Sequence, residues 1–129
     1  MPEAIQLLFK ASRESVGGEI FVMLMPTCRI VDLAEVLIED SGESDVTIVE
    51  SGIRPGERIH ELLLSEYESR TTVVYDKEYL VILPVLDIAG LKDRYGHLPL
   101  VALGELSSEH EQMSKEEIRS MLDKGGFLS

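Results

Sequence analysis

The chain has 129 residues, of which 44% are apolar and 28% are charged. This length suits one domain with a hydrophobic core, and the composition excludes disorder as the global state. The 24 acidic residues against 12 basic ones give a formal net charge of −12, which disfavours nucleic-acid binding and docking on anionic lipid. A small anionic ligand is still compatible with this charge, because a single Arg can hold a phosphate.

Apolar spacing and turn residues predict helices that alternate with strands, and therefore a mixed α/β (α+β) domain. In the first half, the predicted elements are a helix over 3–16, a strand from Glu19 to Leu24, a helix over about 31–40, a strand from Asp45 to Glu50 and a helix over about 57–68. In the second half, they are strand-like runs at 71–75 and 79–83 and a short helix near 87–95. A last helix begins at a capping box at Ser114 and ends at Gly125-Gly126. The two middle runs are compatible with a hairpin or with an extended arm. We expect one domain over 1–129, in which 84–106 has the least regular pattern and 107–129 forms a C-terminal arm and helix.

The chain has one cysteine, Cys28, so an internal disulfide and a Cys-based metal site are excluded. Beside Arg29 this thiol could be reactive, whereas a buried structural thiol is the ordinary alternative. The N-terminus lacks the basic segment and apolar run of a signal peptide, and no apolar run approaches the roughly 18 residues that span a bilayer. We therefore expect a cytoplasmic protein without membrane contact.

The segment from Gly52 to Glu61 joins a predicted strand to a predicted helix and carries the strongest binding signal. Pro55 fixes φ and Gly56 permits a tight turn. Arg54 precedes this turn, where its guanidinium could contact a phosphate or a ribose, and Glu57 could accept hydrogen bonds from hydroxyls. The alternative is that the Pro-Gly pair only makes a turn and that Glu57 complements the helix dipole.

Other chemistry-bearing residues give weaker signals. His60 follows Glu57 by three residues, a spacing compatible with a metal half-site or an acid–base pair. No further His lies nearby, since His97 and His110 are far along the chain, and this favours a helix-surface or packing histidine. The chain has neither a dinucleotide-binding G-x-G-x-x-G loop nor a P-loop, and no Tyr is followed by Lys at the fourth position. These absences argue against self-contained redox chemistry, and we assign no catalytic, cofactor-binding or metal-binding residue.

The order of several segments resembles the C-terminal, substrate-binding portion of the CapD-like polysaccharide biosynthesis proteins. These are extended short-chain dehydrogenases/reductases that act as UDP-N-acetylglucosamine 4,6-dehydratases or 4-epimerases. The matching segments are Pro2–Leu8, Gly17–Val22, Ile30–Ala34, Gly52–Glu61 with its Arg-Pro-Gly-Glu motif, Tyr79–Pro84, and Leu106–Glu109 ahead of Met113–Arg119. The resemblance covers nearly the whole chain and is weakest across 85–104.

This resemblance implies a nucleotide-sugar site in a small domain. In the family, an NAD(P)-binding Rossmann half carries the Gly-rich loop and the catalytic Tyr-Lys pair, and the C-terminal half helps to form the UDP-sugar site. The Arg and the Glu of the Arg-Pro-Gly-Glu motif contact the UDP-sugar, and they correspond to Arg54 and Glu57. NAD(P) is therefore expected only in a Rossmann half and not in this chain.

Departures from the family pattern leave several functions open. The resemblance places Met1 beyond the Tyr-Lys pair, so the chain alone should not dehydrate or epimerise a sugar, and Cys28-Arg29 stands where relatives often have Met-Lys. A first hypothesis is a UDP-sugar-binding subdomain that acts with a separately encoded Rossmann partner. The alternatives are a non-catalytic binding or scaffolding protein and a truncated remnant without its own activity. We also expect a homo-oligomer, because apolar surface that the Rossmann half covers in the family would otherwise be exposed.

Overall fold

The computed structural model describes residues 2–128, with side chains from residue 4 onwards. In chain order the elements are α1 (Pro2–Glu14), β1 (Ile20–Met23), α2 (Ile30–Ser41), β2 (Leu62–Leu64), α3 (Glu66–Ser69), β3 (Thr72–Val74), β4 (Tyr79–Ile82), α4 (Leu91–Tyr95), β5 (Leu106–Ser107) and α5 (Lys115–Lys124). Helices and strands are interspersed along the chain, which confirms the predicted mixed α/β class.

The chain forms two compact units, each built from two separate stretches of sequence. The first unit comprises Met1–Met25 and Leu62–Leu106, and the second comprises Pro26–Glu61 and Ser107–Ser129. The prediction of one domain over 1–129 is not tested by this division and stays a prediction.

The first unit is built on a three-stranded antiparallel sheet in the order β1-β4-β3. Strands β3 and β4 are neighbours, so the hairpin alternative for these two runs is confirmed. Asp76 closes the turn between them, because its carboxylate accepts the backbone N–H groups of Glu78 (2.8 Å) and Tyr79 (2.9 Å). The buried core against this sheet joins both strands to α4 and consists of Val73, Val81, Leu91 and Tyr95.

Helix α1 contacts the residues around strands β3 and β4 through polar groups. Lys10 pairs with Asp76 at 2.6 Å, and its ammonium lies 4.3 Å from the centre of the Tyr79 ring. Glu14 accepts a short hydrogen bond from the phenol of Tyr75. The opposite face of α1 leaves Leu8 exposed, together with other apolar side chains.

The second unit packs α5 on α2. Lys115 forms an ion pair with Glu35, and Arg119 reaches Glu39 at 2.9 Å. Each helix also buries one side chain completely, Val36 in α2 and Ile118 in α5. The start of α5 follows the prediction closely, because Ser114 and Glu117 form both hydrogen bonds of a capping box.

The predicted strand from Asp45 to Glu50 is wrong. These residues have no regular secondary structure, and their apolar side chains are exposed, Val49 to 81%. The apolar pattern Val46, Ile48 and Val49 satisfies the strand propensity, but a strand is stable only where a neighbouring strand accepts its hydrogen bonds. None of the strands in residues 2–128 pairs with this segment.

The predicted helix over 57–68 is also wrong. Residues 57–61 form turns and irregular structure, Leu62–Leu64 forms β2, and only Glu66–Ser69 is helical, behind a capping box at Ser65 and Glu68. The helical spacing of Ile59, Leu62 and Leu63 was misleading, because a short apolar run fits a strand equally well. Residues 62–64 form a strand because they pair with β5, and the side chain of Leu64 is only 1% exposed.

The exposed apolar side chains predict self-association in solution. In α1 they are Ile5, Leu8 and Phe9, which are 52%, 69% and 68% exposed. These three side chains have the i, i+3, i+4 spacing of one helix face, and exposed apolar patches mark sites of protein interaction. We expect light scattering at tens of micromolar to give the mass of a dimer or a larger oligomer, and Phe9→Gln to lower that mass. A monomer at this concentration would contradict the expectation.

A second prediction concerns alkaline stability. Burial, reinforced by the carboxylate of Glu19 at 2.9 Å from the hydroxyl, raises the pKa of Tyr95 to about 12. An unfolded chain loses this proton at about pH 10. The folded state thus holds a proton that the unfolded state has lost, and the free energy of unfolding falls as pH rises from about 10 to about 12.

We therefore expect Tyr95→Phe to flatten this fall, measured as urea midpoints at about pH 9 and about pH 11. Tyr67→Phe is the matched control, because the Tyr67 side chain is 69% exposed. If both variants lose stability as steeply as the wild type, buried Tyr95 is not the group responsible.

Candidate functional site

The Arg-Pro-Gly-Glu motif forms a tight turn on the surface. The backbone N–H of Glu57 donates to the carbonyl of Arg54 at 3.0 Å, and Gly56 has φ of 91°. Proline at the second position and a positive φ at the third define a type II β-turn, which needs glycine there. The predicted tight turn at Pro55-Gly56 is confirmed.

The carboxylate of Glu57 stabilises this turn. Its Oε2 atom accepts the backbone N–H of Arg54 at 2.9 Å, so Arg54 and Glu57 are joined by two hydrogen bonds in opposite directions. The alternative in which Glu57 complements a helix dipole is wrong, because no helix begins at this residue. A carboxylate offers about four acceptor positions, so this contact leaves acceptor capacity for a ligand hydroxyl.

Two guanidinium groups near the turn are available to an anion. Arg54 and Arg58 are exposed and form no salt bridge with any residue in the described range 2–128. By contrast, Lys10 and Arg119 are engaged by acidic residues. In a chain with a net charge of −12, two guanidinium groups that lie within five residues and lack a salt bridge in the described range are donors that could contact phosphate oxygens.

The turn lies within a long irregular segment. Residues 42–61 connect α2 to β2, contain no helix or strand, and are exposed throughout. Loops of this length without secondary structure are uncommon in compact domains and are usually either functional or linker segments. At its start the segment leaves α2 through Gly42, whose φ of 70° provides a left-handed helix cap.

The end of this segment is fixed by residues that are remote in sequence. The backbone N–H of Glu61 donates to Oγ of Ser108 at 3.0 Å, and its carbonyl accepts the N–H of Ser108 at 2.9 Å. Beside it, Nε2 of His60 lies 2.8 Å from Oε1 of Glu109. We call these four residues, His60, Glu61, Ser108 and Glu109, the clasp.

The structure also places His60 and Cys28, the other residues that the sequence singled out. His60 is 45% exposed and pairs with Glu109, so it is a surface histidine, although it lies in the irregular segment and not on a helix. Within residues 2–128 no group of three or more His, Cys, Asp or Glu side chains could hold a metal ion. Cys28 is a half-buried free thiol, and the guanidinium of its neighbour Arg29 lies 3.7 Å from a carboxylate oxygen of Asp32.

The residues present do not fit a dinucleotide site. A Rossmann unit needs parallel strands joined by a crossover helix, with a Gly-rich turn at the start of that helix. The three-stranded sheet of the described chain is antiparallel in both of its pairings, and the sequence has no such Gly-rich turn. No step of chemistry on a nicotinamide cofactor is therefore assigned to these residues.

Comparison with known proteins shows the family. The sequence model of the family described as "Polysaccharide biosynthesis protein" matches residues 1–83, and the chain belongs to this family. The capsular polysaccharide biosynthesis protein CapD of Staphylococcus aureus is 46% identical over 82 residues, which cover 61% of this chain and 14% of that protein. The resemblance to the CapD-like proteins is thus confirmed.

Two further relatives and one solved structure extend the comparison. A UDP-N-acetylglucosamine 4,6-dehydratase (inverting) of Campylobacter jejuni is 33% identical over 89 residues, 69% of this chain and 24% of that protein. An uncharacterised membrane protein of Methanocaldococcus jannaschii is 32% identical over 132 residues, 98% of this chain and 37% of that protein. The X-ray structure of Pen from Bacillus thuringiensis matches with a TM-score of 0.82 and 28% identity, covering 98% of this chain and 37% of that one.

These proteins are much longer than the matched region. The chain spans between 14% and 37% of the length of the relatives and the solved structure named above. None of the helices in residues 2–128 is long and apolar enough to cross a membrane.

Proposed function

We propose that the chain is a UDP-N-acetylhexosamine-binding subdomain of a polysaccharide-biosynthesis dehydratase or epimerase. In this proposal Arg54 contacts the diphosphate or ribose of the nucleotide. Glu57 holds the turn and offers its remaining acceptor capacity to a hydroxyl of the ligand. The family supports the general role, and one of the relatives is a UDP-N-acetylglucosamine 4,6-dehydratase.

The proposal rests on two properties of Arg54: its backbone is held in a preformed turn, and its guanidinium forms no salt bridge within the described residues. Its backbone is held by two hydrogen bonds to Glu57, while its guanidinium has no described acidic partner. A backbone fixed before binding reduces the entropy that a ligand must overcome, and a free guanidinium presents a planar fork to phosphate oxygens. Arg54 and Glu57 therefore form a turn whose backbone is ordered before binding, and Arg54 offers its positive charge to a ligand.

The same proposal assigns the redox chemistry to a second polypeptide. A Rossmann partner would supply NAD(P) and the groups that act on the sugar, and this chain would bind and orient the UDP-sugar. The described sheet supports this division, because its antiparallel pairing is wrong for a dinucleotide site.

Calorimetric titration with UDP-N-acetylglucosamine tests the binding part. We expect the wild type to bind and Arg54→Ala to weaken binding by about tenfold or more, since a charge-assisted contact to phosphate contributes about 1.5–3 kcal/mol. Lys77→Ala is the matched control, because it removes one exposed positive charge from the hairpin turn in the other unit.

The two variants separate a specific contact from general electrostatics. Equal weakening in Arg54→Ala and Lys77→Ala would mean that only the net charge matters. No binding of any uridine nucleotide by the wild type would contradict the proposed function.

Co-expression tests the partner. We expect the Rossmann half of a CapD-like relative to form a complex with this chain and to turn over UDP-N-acetylglucosamine only in its presence. Binding without complex formation or turnover would instead favour the non-catalytic binding protein. Arg54→Ala in the complex should lower turnover, whereas Lys77→Ala should leave it unchanged.

A further inference from the structure

The clasp makes two kinds of contact within two consecutive residues of the long segment. The backbone N–H of Glu61 donates to the hydroxyl oxygen of Ser108, and the carbonyl of Glu61 accepts the N–H of Ser108. Beside it, a ring nitrogen of His60 lies 2.8 Å from the Glu109 carboxylate. Both the neutral Nε2–H tautomer of His60 and the imidazolium can donate this hydrogen bond. The contact therefore does not depend on one charge state of the ring.

Local hydrogen bonds also order the stretch that carries Ser108 and Glu109, the two clasp residues outside the segment 42–61. The carbonyl of Ser108 accepts the side-chain amide of Gln112 at 3.0 Å, and the N–H of His110 donates to the carbonyl of Ser107 at 3.1 Å. The Nδ1 atom of His110 accepts the N–H of Ser107 at 3.3 Å. Glu109 thus stands in a compact turn and presents its carboxylate from a fixed backbone.

The same stretch is tied to the residues that precede α2. The carbonyl of Thr27 accepts the N–H of Met113 at 2.7 Å, and its hydroxyl donates to the carbonyl of His110 at 3.1 Å. Residues 107–113 therefore join the end of the segment 42–61 to the start of α2. This arrangement fixes the end of the segment at Glu61. The start of the segment continues from the last turn of α2 through Gly42, and its middle, including Arg54, is held only locally.

We propose that His60 is a positioning residue, which holds the Arg54–Glu57 turn in its binding orientation through its contact with Glu109. The inference rests on the proposed function, because it gives the clasp a role in UDP-sugar binding. His60 itself makes no contact with the ligand in this proposal. Its effect passes along the short chain from residue 60 back to residue 57, and without the contact the turn samples more orientations before it binds.

The size of the effect follows from the exposure of the pair. His60 and Glu109 are 45% and 56% exposed, and exposed ion pairs change an equilibrium by at most about fivefold. Such a contact barely affects global unfolding. It matters for the segment 42–61, where few other contacts oppose local opening.

Amide hydrogen exchange of the uniformly labelled protein tests the contact without a ligand. We expect His60→Ala and Glu109→Ala to speed exchange at the Glu61 and Arg54 amides by about two- to fivefold. His60→Gln should stay near the wild type, because its side-chain amide can still donate to Glu109. Glu105→Ala is the control, since it removes an equivalent exposed charge four residues before Glu109.

Titration of the same variants with UDP-N-acetylglucosamine tests the consequence for binding. Affinity should fall by about two- to fivefold in His60→Ala and in Glu109→Ala, and the double variant should be no weaker than either single one. Additive losses, or a loss in Glu105→Ala equal to that in Glu109→Ala, would overturn the positioning role. Unchanged exchange in His60→Ala would also overturn it.

The two tests distinguish this inference from the proposed function. A wild type that binds no uridine nucleotide overturns the proposed function and the role of the clasp in binding, while faster exchange would still show that the clasp orders the turn. Normal binding by every variant, with unchanged exchange, overturns the inference alone.

Discussion

The candidate site depends on hydrogen bonds between the segment that carries Arg54 and a stretch of chain nearly fifty residues further on. The stretch 107–113 has almost no regular secondary structure, yet it fixes Glu61 through Ser108 and Thr27 through Met113. Without these contacts, residues 42–61 would be held only by the ends of α2 and β2 that they connect. This irregular stretch therefore pairs the backbone N–H and carbonyl of Glu61, at the end of a segment that has no strand neighbour.

Electrostatics explain why this segment is the candidate ligand site. The net charge of −12 supplies an acidic partner for most cations, including Lys115 and Arg119 on α5. Arg54 and Arg58 keep free guanidinium groups beside a turn whose backbone is already ordered. An anion gains most from a cation that no carboxylate already pairs, which favours Arg54 and Arg58 as ligand contacts.

Local signals in the sequence predicted the elements that depend on local chemistry. The capping box at Ser114, the glycines after α5 and the Pro55-Gly56 turn act through neighbouring residues, and each is present. The segment Asp45–Glu50 and the region 57–68 were wrongly predicted, because their structure depends on whether a remote strand is available for pairing. The sequence indicated Arg54 and Glu57 but not the hydrogen bond between them, and nothing in the spacing of His60 and Glu109 indicated that they meet.

A titration of labelled protein with UDP-N-acetylglucosamine, monitored by backbone amide chemical shifts, tests directly whether the Arg54–Glu57 turn binds the nucleotide sugar. We expect the largest shift changes to fall on Ile53–Glu57 and smaller ones to reach Glu61 and Ser108. Shift changes confined to the unit that contains the three-stranded sheet, or no change at saturating ligand, would contradict it.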